Sequence, residues 1–138
     1  MKTKTLFVLS LFLLTAPFAA VAADAKPAAG KKSVVKRVDA EEFDKLRQDK
    51  TNIILDVRTE AEFKAGHIPG AISMDVNEPS FSTKLGRLDK SRTYLVHCAA
   101  GVRSAKACGR LEAAGFTNLF DLAPGFRGWE KAGKPVEK

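Results

Sequence analysis

Short apolar runs alternate along this chain with segments whose apolar residues recur at helical spacing. Val34-Val35 is read as a first short strand, Asn52–Val57 (NIILDV) as a second and Ala71–Met74 as a third. Thr93–Val96 (TYLV), which ends at His97-Cys98, has the β-branched and apolar composition of a buried strand, and Asn118–Leu122 (NLFDL) reads as the last. Helices fall between them. Asp39-Ala-Glu-Glu42 is a capping pattern, continued by Phe43, Leu46 and Arg47 to near Asp49. Thr59-Glu-Ala-Glu62 caps a second helix with Phe63 as its apolar anchor, and Gly66-His-Ile-Pro-Gly70 ends it in a turn. Asp75–Ser91 is a connecting excursion with one helical turn around Phe81–Leu85. Val102, Ala105, Cys108, Leu111 and Ala114 recur every three residues, and Ala107 adds a four-residue step to Leu111. That spacing predicts a helix with one narrow apolar face, stopped by Gly115. Pro124-Gly125 opens a short helix with Phe126, Trp129 and Lys131, ended by Gly133 and Pro135. Strands alternating with helices predict an α/β domain with a mainly parallel sheet.

Composition sets the bounds. The 138 residues, 45% hydrophobic and 28% charged, suit one globular domain. Lys2 and Lys4, the apolar core Leu6–Leu14 and the small–x–small triplet Ala20-Val21-Ala22 have the form of a signal peptide over residues 1–22. The apolar core is too short to span a bilayer comfortably, and no Cys lies at the cleavage site to carry a lipid. The expectation is export, to the periplasm in a bacterium, with no stable membrane association after cleavage. Residues 23–33, rich in Ala, Lys, Pro and Gly without periodicity, read as a disordered lead-in to a domain over 34–136. The formal net charge is +7, and removal of residues 1–22 leaves 21 basic and 16 acidic residues. That mild excess favours small anions. The basic residues are scattered and not interleaved with aromatics, which argues against nucleic acid.

The candidate chemistry lies in Cys98-Ala-Ala-Gly-Val-Arg103, a tight turn between a strand end and a helix start. Ligands collect at the carboxyl ends of strands in such sheets. Backbone amides at a helix N-terminus favour negative charge, so a thiol there loses its proton more readily, and the thiolate is the reactive form. Gly101 gives the loop freedom to curl its amides inward, and Arg103 adds a planar set of donors suited to an oxyanion. A free Cys at a strand end is otherwise a small buried hydrophobe, which is the reading for Cys108. Cys98 and Cys108 are ten residues apart, mostly along a helix, beyond the reach of a disulfide. Two Cys and two His at these spacings fit no usual zinc site, and no CxxC occurs. His67, in a Gly/Pro turn, and Asp56 with Arg58, flanking a strand end as an ion pair, are given structural roles.

Three stretches resemble the rhodanese family. Leu55-Asp-Val-Arg-Thr-Glu-Ala-Glu-Phe63 with Gly66-His-Ile-Pro-Gly-Ala71 is similar to its first signature, and Cys98–Arg103 resembles its active-site loop. Gly115-Phe-Thr-Asn-Leu119 through Gly125-Phe-Arg-Gly-Trp129 resembles its C-terminal signature. The resemblance implies a three-layer domain with a central five-stranded sheet flanked by helices. It also implies a sulfurtransferase: Cys98 takes a sulfane sulfur from thiosulfate or a persulfide and passes it to cyanide or a thiol, without metal or organic cofactor. By the same resemblance Ala99, Ala100, Gly101, Val102 and Arg103 bind the donor, through backbone amides and the Arg103 guanidinium. The six-residue loop has the family's sulfur-sized length. Related phosphatases and arsenate reductases use seven residues around a larger oxyanion, which disfavours an oxyanion hydrolase or reductase. Ala99 and Ala100 depart from the polar or basic side chains of many thiosulfate-using relatives, which points toward persulfide or polysulfide donors. The alternative is a binding or sensor module on the same scaffold, and inactive relatives usually lose the cysteine kept here. A compact domain of this size is expected to be a monomer.

Overall fold

The computed structural model describes residues 35–138. The expected signal peptide, the lead-in and Val34 lie outside the described residues. Ten elements follow one another: β1 (Lys36–Val38), α1 (Ala40–Gln48), β2 (Ile53–Asp56), α2 (Glu60–Ala65) and β3 (Ile72–Ser73), then α3 (Phe81–Leu85), β4 (Tyr94–His97), α4 (Val102–Ala113), β5 (Leu119–Leu122) and α5 (Gly125–Lys131). The strands form one sheet in the order β1-β5-β4-β2-β3, with every pair parallel. The expected α/β class is therefore met, and the sheet is wholly rather than mainly parallel. The first strand begins at Lys36, past the Val34-Val35 pair expected to form it. Val35 instead packs against the core ahead of the strand.

A parallel sheet must be covered on both faces. All four residues of β4, the central strand, are buried, and their side chains alternate between two cores. Tyr94, Val96 and Cys98 join Leu55, Phe81, Leu85, Ala107, Leu111 and Phe116 under α3 and α4. Leu95 joins Ile54, Phe43, Ile68, Phe126 and Trp129 under α1 and α5. Each fully buried large side chain contributes on the order of 1.5–3 kcal/mol.

The local signals hold α1 and α2 as expected. Asp39 accepts a hydrogen bond from the Glu42 amide, and Thr59 and Glu62 form a reciprocal capping box. Two expectations need correction. Phe63 is only half-buried and α2 buries no residue; the ring stacks on His67 at 3.9 Å rather than anchoring the helix in the core. In α4 the buried stripe is Ser104, Ala107, Cys108 and Leu111, while Val102 and Ala105 are exposed. A strict three-residue step drifts around a helix of 3.6 residues per turn, so the true stripe alternates steps of three and four.

Candidate active site

β4 delivers the site. Alternation along the strand sends His97 into one core and Cys98 into the other, and the chain then curls through Ala99–Gly101 into α4. Gly101 caps that helix with φ 87, and a Cβ there would lie 2.4 Å from the Ala123 carbonyl oxygen, so only glycine fits. Two amides of α5 hold the loop from its other side. Phe126 N–H donates to the Cys98 carbonyl at 2.7 Å, and Arg127 N–H to that of Ala99 at 3.1 Å.

Cys98 is 1% exposed, and its sulfur sits among donors. Gly101 N–H donates to it at 3.1 Å, the Ser104 hydroxyl lies 3.5 Å away, and the amides of Ala100 and Ser104 also face it. Burial pushes the thiol up, but these hydrogen bonds outweigh burial and hold it below the ordinary thiol value. Cys108, buried within α4 without such donors, is pushed up to about 12 by burial, with nearby Asp121 adding to the rise. Both cysteines are free thiols. The surroundings of the two sulfurs therefore differ: those of Cys98 favour the thiolate and those of Cys108 the neutral thiol.

The remaining loop residues divide. Ala100 and Gly101 present amides to the sulfur. Ala99 lines an adjacent cleft, and the Val102 side chain is 78% exposed. Arg103 differs from expectation. Its guanidinium is bound bidentately by Glu62, at 2.7 and 2.8 Å, so the fork expected to face an anion is already occupied by a carboxylate. That hydrogen bonding is the main reason the Glu62 carboxyl falls to about 2.

The cleft beside the loop holds about 300 Å³ and is lined by Arg58, Glu62, Gly66, Ala99, Phe126 and Arg127, among others. Arg58 forms the expected ion pair with Asp56 at 2.6 Å, also donates to the Gly66 carbonyl, and stacks over the Phe126 ring at 4.1 Å. His67 is structural: its Nδ1 lies 3.0 Å from the Phe63 carbonyl, and its backbone pairs with Glu137. Sequence reasoning does not single out Ser104 or Asp121, and it marks Glu62 only as part of the α2 cap, not as the partner of Arg103. Ser104 carries a local signal of its own, since it begins the stripe Ser104-Ala107-Cys108-Leu111 that a search for apolar residues passes over.

The rhodanese-like domain family matches residues 39–132. A sulfurtransferase of Allochromatium vinosum is 28% identical over 104 residues, covering 75% of this chain and 95% of that protein. The thiosulfate sulfurtransferase GlpE of Shewanella oneidensis is 29% identical over 100 residues, covering 72% of this chain and 97% of that one. The crystal structure of a rhodanese-related protein from Thermoplasma volcanium matches with a TM-score of 0.65 at 28% identity, covering 74% and 97% of the two chains. Other relatives are longer proteins, of which the chain spans 65% or 34%. The motifs, the all-parallel five-stranded sheet and these relatives agree: the chain belongs to the rhodanese-like family, and it is similar to the two sulfurtransferases above over nearly their whole length.

Proposed function

We propose that this protein moves a sulfane sulfur from thiosulfate or a persulfide to a thiophilic acceptor through a persulfide on Cys98. The observation that carries this reading is the Cys98 sulfur held among inward amides, with Gly101 N–H at 3.1 Å. The Cys98 thiolate attacks the outer sulfur of the donor. A bond forms between Cys98 and that sulfur, the donor's S–S bond breaks, and sulfite or a thiolate leaves with the electron pair. Cyanide or a thiol then attacks the outer sulfur, and the thiolate of Cys98 is restored. Amides fixed around the anionic sulfur stabilise it without reorganising.

Because Arg103 is engaged by Glu62 and positions 99 and 100 are alanines, the loop offers the donor amides rather than free side-chain charge. This supports persulfide and polysulfide donors beside thiosulfate. The same reading places the mature protein in the periplasm as a monomer, on the strength of the signal-like residues 1–22 and the compact domain.

Intact mass before and after thiosulfate tests the chemistry. The wild type is expected to gain one sulfur and lose it again on adding cyanide, whereas Cys98→Ser gains none. A wild type with a free Cys98 thiol that gains sulfur from neither thiosulfate nor a persulfide overturns the proposal.

A further inference from the structure

Asp121, in β5, is a buried carboxylate for which sulfur transfer has no evident need. It is 1% exposed, and neither of its oxygens receives a well-formed hydrogen bond. Its surroundings are sparse in charge. From β1, Arg37 stands in register with it and brings Nε to 3.3 Å from Oδ2, with most of its own side chain in solvent. From α4, the Ser104 hydroxyl faces it and the Cys108 thiol is near enough to feel its charge, and its register partner on β4 is the apolar Val96. Ser104 is itself fully buried, with the Cys98 sulfur 3.5 Å from its oxygen.

One hydroxyl therefore stands between a thiol and a carboxylate, both withdrawn from water. A buried carboxylate with a single half-solvated cation is costly, and a second anion one hydroxyl away would add repulsion. Such a cluster suits one negative charge rather than two.

We propose that Cys98 and Asp121 share one proton through the Ser104 hydroxyl, so that a thiolate at Cys98 coexists with a neutral carboxyl at Asp121. In the transfer, the S–H bond of Cys98 breaks and its proton goes to Ser104 Oγ. The Ser104 O–H bond breaks in the same step, and that proton goes to an Asp121 carboxylate oxygen. The negative charge moves from carboxylate to sulfur, and no other reactant is consumed. In the thiolate form Asp121 donates to Ser104, and Ser104 donates to the sulfur. Asp121 and Ser104 are then positioning residues that hold the Cys98 proton. The directions of the two groups agree with this: burial raises Asp121, while the hydrogen bonds at the loop outweigh burial and lower Cys98. Groups coupled this closely titrate as a pair, in two steps.

The test is the rate of Cys98 alkylation by iodoacetamide against pH, followed by mass. It needs no sulfur donor, so this proposal and the sulfurtransferase reading can fail separately. The wild type is expected to show two rises in rate separated by a plateau across neutral pH. Asp121→Asn, whose amide can donate to Ser104 but cannot take up a proton, is expected to lose the lower step and show a single rise. Difference infrared spectroscopy gives a second readout. Alkylation at neutral pH removes the thiolate charge, so the carbonyl band of a protonated carboxyl should disappear in the wild type and be absent throughout in Asp121→Asn. A single rise with the same midpoint in both proteins, or no change in that band, overturns the proposal.

Discussion

At the scale of single residues, Arg103 shows how a side chain with a legible position can have a hidden commitment. Its spacing from Cys98 marks it, but its partner Glu62 lies 41 residues away in sequence. Glu62 serves two structures at once: it closes the capping box of α2 and takes the guanidinium of α4. Its carboxyl lies at about 2 in the fold, below its ordinary 4.5, so the contribution to stability is present above pH 4.5 and is lost as pH falls toward 2. Both partners are partly solvated, which limits the gain. Glu62→Gln is expected to cost about 1 kcal/mol at neutral pH, from the weakened cap and the lost pair together. Urea unfolding at several pH values checks this: the difference from wild type should shrink below pH 4.5, and equal midpoints at pH 7 would remove the pair from the list of stabilising contacts.

At the scale of elements, the loop from Cys98 to Arg103 is shaped by the turn between β5 and α5, more than 20 residues further along the chain. Gly125 opens α5 with φ 63, and a Cβ there would lie 2.5 Å from the Ala99 carbonyl and 2.6 Å from the Ala100 amide nitrogen. Backbone meets backbone at that contact, so no rotamer change can relieve it. Gly125→Ala is expected to displace the loop and slow persulfide formation by about a hundredfold, the order of loss that a misplacement near 1 Å brings. Gly109→Ala is the control, because nothing lies within 4 Å of its added methyl. It should leave persulfide formation unchanged and add roughly 1 kcal/mol of stability, as alanine does over glycine within a helix. Equal rates in the two variants would show that the α5 contact does not hold the loop.

For the whole molecule, acid stability is set where β2 and β4 end side by side. Asp56 and His97 are in register, and both are fully buried. Neither ring nitrogen of His97 has a hydrogen-bond partner, Asp56 Oδ2 lies 3.6 Å from Nε2, and the rings of Phe43 and Phe126 pack around it. Burial lowers His97 to about 4, with Asp56 opposing and Arg58 reinforcing the shift. Its unfolded value is near 6.5, so the unfolded chain binds the extra proton first. Stability is full above pH 6.5 and falls as pH drops through the interval to 4, by about 3 kcal/mol from this group. His97→Leu, which cannot take up a proton, should flatten the unfolding free energy over that interval. A wild-type profile no steeper than that of the variant would contradict the assignment.

Periodicity and capping determined the order and type of nearly every element, because alternation within strands and first-turn caps are local properties of the chain. They also determined where the Cys98–Arg103 loop falls, since a Cys between a strand and a helix is a matter of order along the sequence. They did not determine which face of α4 meets the sheet, because Ser104 is polar yet lies in the buried stripe. Nor did they determine the company of Cys98. Glu62 and Gly125 reach the loop from two other segments and Asp121 comes in beside Ser104, and only the register of the parallel strands and the packing of α4 and α5 bring them there. The place of Cys98 was written locally, while the charge and shape of its surroundings arise from contacts between residues distant in sequence.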